Sequence, residues 1–159
     1  MKSLEVINLD KLIKEKFIEL DLEGNTKNEV IAGLAEVAAR SPKLTNKKAF
    51  YKTMLEREEL GSTGIGNGVA IPHVKSKVVR GFILIFARHN SGIDFGALDG
   101  EKTFLFFALA SPPDKVGIHL KVLAEISRLV KDKFIVERLK KAKDKKEILK
   151  LLSSYKKEA

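Results

Sequence analysis

Two stretches of the chain are apolar at every position, Phe82-Ile83-Leu84-Ile85-Phe86-Ala87 and Phe104-Leu105-Phe106-Phe107-Ala108-Leu109. Short unbroken runs of this kind predict strands covered on both faces. The first is bounded by Gly81 and by Asn90-Ser91-Gly92. Between the two runs, 88–102 carries turn signals at Ser91-Gly92, Gly96 and Asp99-Gly100, with Ile93-Asp94-Phe95 as a small strand.

Helical periodicity fills most of the remainder. Asn8–Lys16 predicts a short helix and Phe17-Ile18-Glu19-Leu20 a first strand. Thr26 and Glu29 have the spacing of a capping box. Val30, Ile31, Leu34, Val37 and Ala38 then recur on one face, which predicts a helix over 27–40, ended by Ser41-Pro42. A second helix is expected over 46–60, with Phe50, Met54 and Arg57 as its inward stripe. His119, Val122, Leu123, Ile126, Leu129 and Val130 mark a helix over about 116–131. Two short helices follow. Asp132 caps the first, which turns Ile135, Val136 and Leu139 inward; Asp144 and Glu147 form a second capping box, before Ile148, Leu149, Leu151 and Leu152. The expected fold class is α/β, a three-layer sandwich of a small sheet flanked by helices on both faces, with residues 1–159 as one domain.

One segment has neither period. Gly61-Ser-Thr-Gly-Ile-Gly-Asn-Gly-Val-Ala-Ile-Pro-His73-Val74 has glycines at 61, 64, 66 and 68, a pattern that predicts no regular element. Pro72 fixes its own φ and pushes Ile71 to an extended conformation, so a permissive loop stiffens into a short arm bearing His73. Two readings fit: a glycine-rich turn before a strand with a surface histidine, or a mount that holds a reactive imidazole out to a partner. The glycine spacing is neither G-x-G-x-x-G nor a P-loop. A helix precedes it and a strand follows, the reverse of the order that nucleotide loops use.

Composition narrows the chemistry. A chain 44% hydrophobic buries an ordinary core, and the absence of cysteine removes disulfides, thiolate metal sites and a thiol nucleophile. The longest apolar run, Phe104–Ala110, is far too short to span a bilayer. Met1-Lys-Ser-Leu-Glu-Val has no long apolar signal core, so a soluble cytoplasmic protein is expected, with no direct membrane insertion. The net charge of +9 is concentrated in Arg138–Lys157, where nine basic residues face two acids with Tyr155 as the single aromatic. That pattern fits a solvated helical face better than a nucleic-acid footprint.

With three histidines and no HExxH or HxH spacing, a zinc site lacks support. A serine triad lacks G-x-S-x-G. His89 is read as incidental, at the end of a strand. His119 lies in the first turn of its helix on the core-facing stripe, where the positive helix end is expected to hold it neutral. It is either satisfied by backbone there or part of a site. Arg57 either snorkels and complements a helix C-terminus or points into the His73 site. What remains is nucleophilic histidine. Its attack on phosphorus needs in-line positioning and cover for the equatorial oxygens. Arg57, the backbone N–H groups of the glycine loop and the N-terminus of the His119 helix could supply that cover.

Glu58–Val74 resembles the active-site signature of type-2 enzyme IIA domains, the fructose, mannitol and nitrogen-regulatory class of the bacterial phosphoenolpyruvate:sugar phosphotransferase system. Gly92-Ile93-Asp94-Phe95 with Asp99-Gly100, and Ile118-His119-Leu120 with Ser127-Arg128-Leu129, carry the same resemblance. It covers nearly the whole chain.

The resemblance implies a mixed sheet between helical layers. It implies that His73 takes a phosphoryl group from phospho-HPr and passes it to an enzyme IIB domain, or holds it as a regulatory signal. His119 would be the second histidine of the site and Arg57 the arginine beside it, with no metal or nucleotide cofactor needed. A lone domain with this glycine loop fits the nitrogen-regulatory branch, whereas the 92–100 segment is similar to fructose-type members. Val74 stands where the family usually has a small residue. A β-branched neighbour of the nucleophile and the strong positive charge also allow an alternative, a non-catalytic regulatory binding module on the same fold.

Overall fold

A computed structural model of the chain describes residues 7–156. The N-terminal hexapeptide considered above as a signal core, and Lys157 at the end of the basic segment, lie outside the described residues.

The elements in order are α1 (Leu9–Leu12), a 3-10 turn (Glu15–Phe17), β1 (Ile18–Glu19), α2 (Lys27–Ala38), α3 (Lys47–Glu59), β2 (Gly64–Gly66), β3 (Val69–Ala70), β4 (His73–Lys75), β5 (Ile83–Ile93), β6 (Thr103–Ser111), α4 (Val116–Val130), α5 (Lys133–Lys141) and α6 (Lys145–Lys156). The helix starts follow from their caps. Thr26 accepts the Glu29 N–H while the Glu29 carboxylate accepts from Asn25 N. Asp144 accepts from Glu147 N while Glu147 accepts from Lys143 N. Asp132 accepts from the N–H groups of Phe134 and Ile135.

The sheet is mixed, in the order β1-β5-β6-β3-β2, with β4 also on β6. Strands β3 and β4 share one edge of β6, both parallel to it: Val69 and Ala70 lie opposite Leu105 and Phe106, while His73, Val74 and Lys75 lie opposite Leu109, Ala110 and Ser111. The central antiparallel pair β5–β6 sends alternate residues to opposite layers. Leu84, Phe86, Leu105, Phe107 and Leu109 join the core under α1, α4, α5 and α6. Ile83, Ile85, Ala87, Phe106, Ala108 and Ala110 join the core under α2 and α3. Phe86 and Phe107, directly opposite each other, meet edge to face with centroids 5.1 Å apart. The three-layer α/β expectation therefore holds, and both apolar runs are strands buried on two faces.

The structure departs from the expectation in three places. The glycine stretch is in part regular: Gly64–Gly66 and Val69–Ala70 form a small antiparallel hairpin. Its turn, Asn67-Gly68, has φ values of 57° and 78°, both positive as a two-residue type I′ connection requires. Strand β5 continues through the expected turn to Ile93, which pairs with Thr103 across an irregularity between Arg88 and Ile93. On α3, the charge that turns inward is Glu58, not Arg57.

Candidate functional site

His73 begins β4. Strand alternation sends Val74 into the α2–α3 core, leaving His73 on the opposite face of the strand. The ring is fixed locally: Nδ1 lies 2.7 Å from the carbonyl oxygen of Ile71. A carbonyl only accepts, so Nδ1 carries the proton and the lone pair of the neutral ring sits on Nε2. Pro72, between them, donates no hydrogen bond of its own, and its carbonyl accepts from Leu109 N at 2.9 Å. The arm bearing the imidazole is thus laced to β6 on both sides of the histidine.

His119 comes from the first turn of α4 and is buried, at 2% exposure. The two imidazoles face each other with ring centroids 5.8 Å apart and planes inclined by 59°. Burial first, and then positive charge at His73 and Lys75, push the His119 pKa down to about 4. The ring is neutral at pH 7, as expected, but chiefly because it is buried rather than because of the helix end. Its Nδ1 is 2.6 Å from the hydroxyl of Ser111, so a side chain, not backbone, satisfies it.

Arg57, in the last turn of α3, lines the same cavity of about 660 Å³ as His73, Val74, Lys75, His119 and Leu120. Its Nη1 donates to Gly61 O at 2.8 Å, which spans the start of the glycine loop. The structure thus brings His73, His119 and Arg57 to one cavity. Apolar side chains stand at its exposed rim: Leu60 is 85% and Leu120 58% exposed. The glycine hairpin does not line it. Asn67 and Gly68 border a separate cavity with Asp99, Phe104 and Lys140, so the loop amides that the sequence offered as phosphate donors lie elsewhere. The Asp99 carboxylate accepts from Asn67 N.

Several residues beyond those expected from the sequence support the site. Glu58 is buried below the loop, where its carboxylate accepts from Thr63 N at 3.1 Å and from the Thr63 hydroxyl. Lys27 Nζ pairs with the same carboxylate at 2.8 Å. Thr63 O in turn accepts from Ile71 N at 2.9 Å. A continuous series of bonds therefore runs from Lys27 through Glu58, Thr63 and Ile71 to the His73 ring. Glu58 is four residues after Met54 and eight after Phe50, a spacing that marks the inward face as well as that of Arg57. Ser111, at the end of β6, offers only its place before Pro112-Pro113 as a signal. His89 is part of β5, not a turn; it is buried, donates from Nε2 to Gly24 O at 2.8 Å and lines none of that cavity.

Val74 is buried and forms part of the cavity wall rather than its rim. Among the described residues, no three His, Asp or Glu side chains group as metal ligands. No described helix is long and apolar enough to cross a membrane.

The family model for the phosphoenolpyruvate-dependent sugar phosphotransferase system, EIIA 2, matches residues 11–155. The chain is 38% identical over 134 residues to a nitrogen regulatory protein of Bradyrhizobium diazoefficiens, covering 83% of this chain and 86% of that one. It is 33% identical over 136 residues to the fructose-like EIIA component of Escherichia coli, covering 86% and 91%. Among solved structures, the nitrogen regulatory protein IIA-Ntr from Neisseria meningitidis superposes with a TM-score of 0.85 at 29% identity, covering 91% of this chain and 98% of that one.

Proposed function

This chain belongs to the EIIA 2 family of the phosphoenolpyruvate-dependent sugar phosphotransferase system, and from that premise we propose that His73 carries a phosphoryl group received from phospho-HPr. Enzyme IIA domains are phosphotransfer proteins, so the chain serves that system as a phosphocarrier or a regulatory protein. The group then passes to an enzyme IIB domain or stays as a nitrogen-regulatory signal. We read residues 1–159 as one such domain.

The observation that carries the reading is the Nδ1 contact of His73 with Ile71 O at 2.7 Å. It leaves the Nε2 lone pair for the cavity. Nε2 attacks phosphorus in line, the bond from phosphorus to the donor breaks, and its electron pair leaves with the donor. No proton has to leave His73, because Nδ1–H stays on the Ile71 carbonyl while the ring gains positive character. Arg57 supplies charge to the equatorial oxygens. No side chain caps the N-terminus of α4, the helix that brings His119 to the cavity. His119 lies beside the transferred group as a neutral hydrogen-bonding ring.

Incubation with phosphoenolpyruvate, enzyme I and HPr should give an acid-labile, base-stable adduct, absent in His73→Ala. An adduct that forms equally well in that variant overturns the site. Offering the labelled protein a fructose-class enzyme IIB domain separates the branches: label that moves on supports transport, and label that stays supports regulation. The non-catalytic alternative drew on Val74, whose burial in the wall leaves the cavity mouth to Leu60 and Leu120.

A further inference from the structure

We infer that Ser111 is a positioning residue of the site: its hydroxyl donates to Nδ1 of His119 and thereby sets an Nε2–H on that ring for the phosphoryl group at His73. The inference rests on the phosphocarrier reading and adds to it a residue and a proton position.

Ser111 is the last residue of β6 and fully buried, at 0% exposure. Its backbone is committed to the strand that carries His73: it lies opposite Lys75 in the parallel β4–β6 ladder, and its carbonyl accepts from Ser76 N at 3.0 Å. Its hydroxyl has one hydrogen-bond partner among the described residues, His119 Nδ1 at 2.6 Å. A hydroxyl has a single proton and can point it in one direction. Were Nδ1 protonated, it would donate to the serine oxygen, and the serine O–H would be buried with no acceptor, an arrangement proteins avoid. With the O–H donated to Nδ1, every group in the pair is satisfied.

A neutral imidazole has one N–H. His119 is neutral at pH 7 because it is buried. With Nδ1 accepting from Ser111, the ring proton belongs on Nε2. The two facing rings are then in opposite tautomers. His73 protonated on Nδ1 offers a lone pair, and His119 protonated on Nε2 offers a donor. The first suits attack on phosphorus and the second suits the charge on the transferred oxygens. A single strand pairing, β4 with β6, holds both arrangements, directly at His73 and through Ser111 at His119.

The test is long-range proton–nitrogen NMR of the imidazoles in uniformly nitrogen-15-labelled, unphosphorylated protein at pH 7. The expected spectrum assigns His119 to the Nε2–H tautomer. In Ser111→Ala, His119 should become a mixture of tautomers, and single-turnover transfer from phospho-HPr should slow by about tenfold, within the range for losing one oriented proton donor. A wild-type His119 protonated on Nδ1 overturns the inference, and needs no variant to fold. So does a Ser111→Ala protein that keeps the wild-type tautomer, or that loses it with no change in rate. Failure of the protein to form any adduct at His73 would refute the phosphocarrier reading instead, and the tautomer spectrum would still decide the placement of the proton.

Discussion

Arg57 and Glu58 are neighbours on α3 and hold the same loop from two sides. Arg57 donates to Gly61 O at 2.8 Å at the rim of the His73 cavity. Glu58, turned inward, takes the N–H and hydroxyl of Thr63 beneath it. A helix turns about 100° per residue, so consecutive side chains diverge this far. One of them is free to face a substrate group while the other fixes the backbone on which His73 is mounted.

Glu58→Ala strips a buried N–H and a buried hydroxyl of their acceptor and leaves Lys27 without its 2.8 Å partner. We expect a loss of about 1–3 kcal/mol of folding stability, the scale for orphaned buried polar groups. Urea denaturation measures it. Hydrogen exchange should show the amides of Thr63 and Ile71 losing protection. Unchanged protection at both would mean that the loop is held without the carboxylate.

For Arg57→Ala the expected pattern is the reverse. Its side chain is partly exposed, so stability should stay within about 0.5 kcal/mol of wild type. Single-turnover transfer from phospho-HPr should slow by about 10- to 100-fold, the effect of removing one oriented transition-state donor. Arg57→Lys should recover little of it, since a point charge does not reproduce a planar fork. Wild-type rates in Arg57→Ala would assign the guanidinium to the Gly61 carbonyl alone.

His119 gives stability a pH dependence of known sign. The folded ring protonates at about 4, against an ordinary value of 6.5. Between those values the unfolded chain binds more protons, so stability rises with pH. The contribution is complete above about 6.5 and is lost as pH falls through about 4. Urea midpoints from pH 4 to 7 should fall less steeply towards acid in His119→Gln than in wild type. Equal slopes would mean the ring does not control this window. A phosphoryl group on His73 would add negative charge beside the ring, so an NMR titration of phosphorylated protein should find the His119 pKa raised.

Arg88 is buried, and its Nη1 donates to the carbonyls of Leu139 and Ala142 at 3.1 and 2.8 Å. It thereby closes the C-terminal end of α5 from the sheet side. Arg88→Met keeps the stem and removes the donors. We expect about 1–3 kcal/mol of destabilisation and faster proteolysis between α5 and α6, read by limited digestion. Cleavage at the wild-type rate would refute the role.

Where local chemistry decided the structure, the sequence could be read. Thr26 with Glu29 and Asp144 with Glu147 specify helix starts through bonds a few residues long. The runs at Phe82 and Phe104 can be buried on both faces only inside a layered fold. Arg88 and His89 read as polar residues leaving a strand because their partners, Ala142 and Gly24, are distant in the chain. Asn67-Gly68 carries a hairpin signal, but β2 and β3 are too short for alternation to show beside it. The three residues named for the site do meet at one cavity. The groups that orient them, Glu58 and Ser111, act through tertiary bonds that spacing alone does not reveal.

The contact between His73 Nδ1 and the Ile71 carbonyl also has an analytical consequence. Only the τ regioisomer of phosphohistidine is open to this ring, because the π position is occupied by backbone. Reagents selective for the two isomers would therefore separate modification at this position from adventitious labelling of a freely rotating imidazole, which is open on both edges.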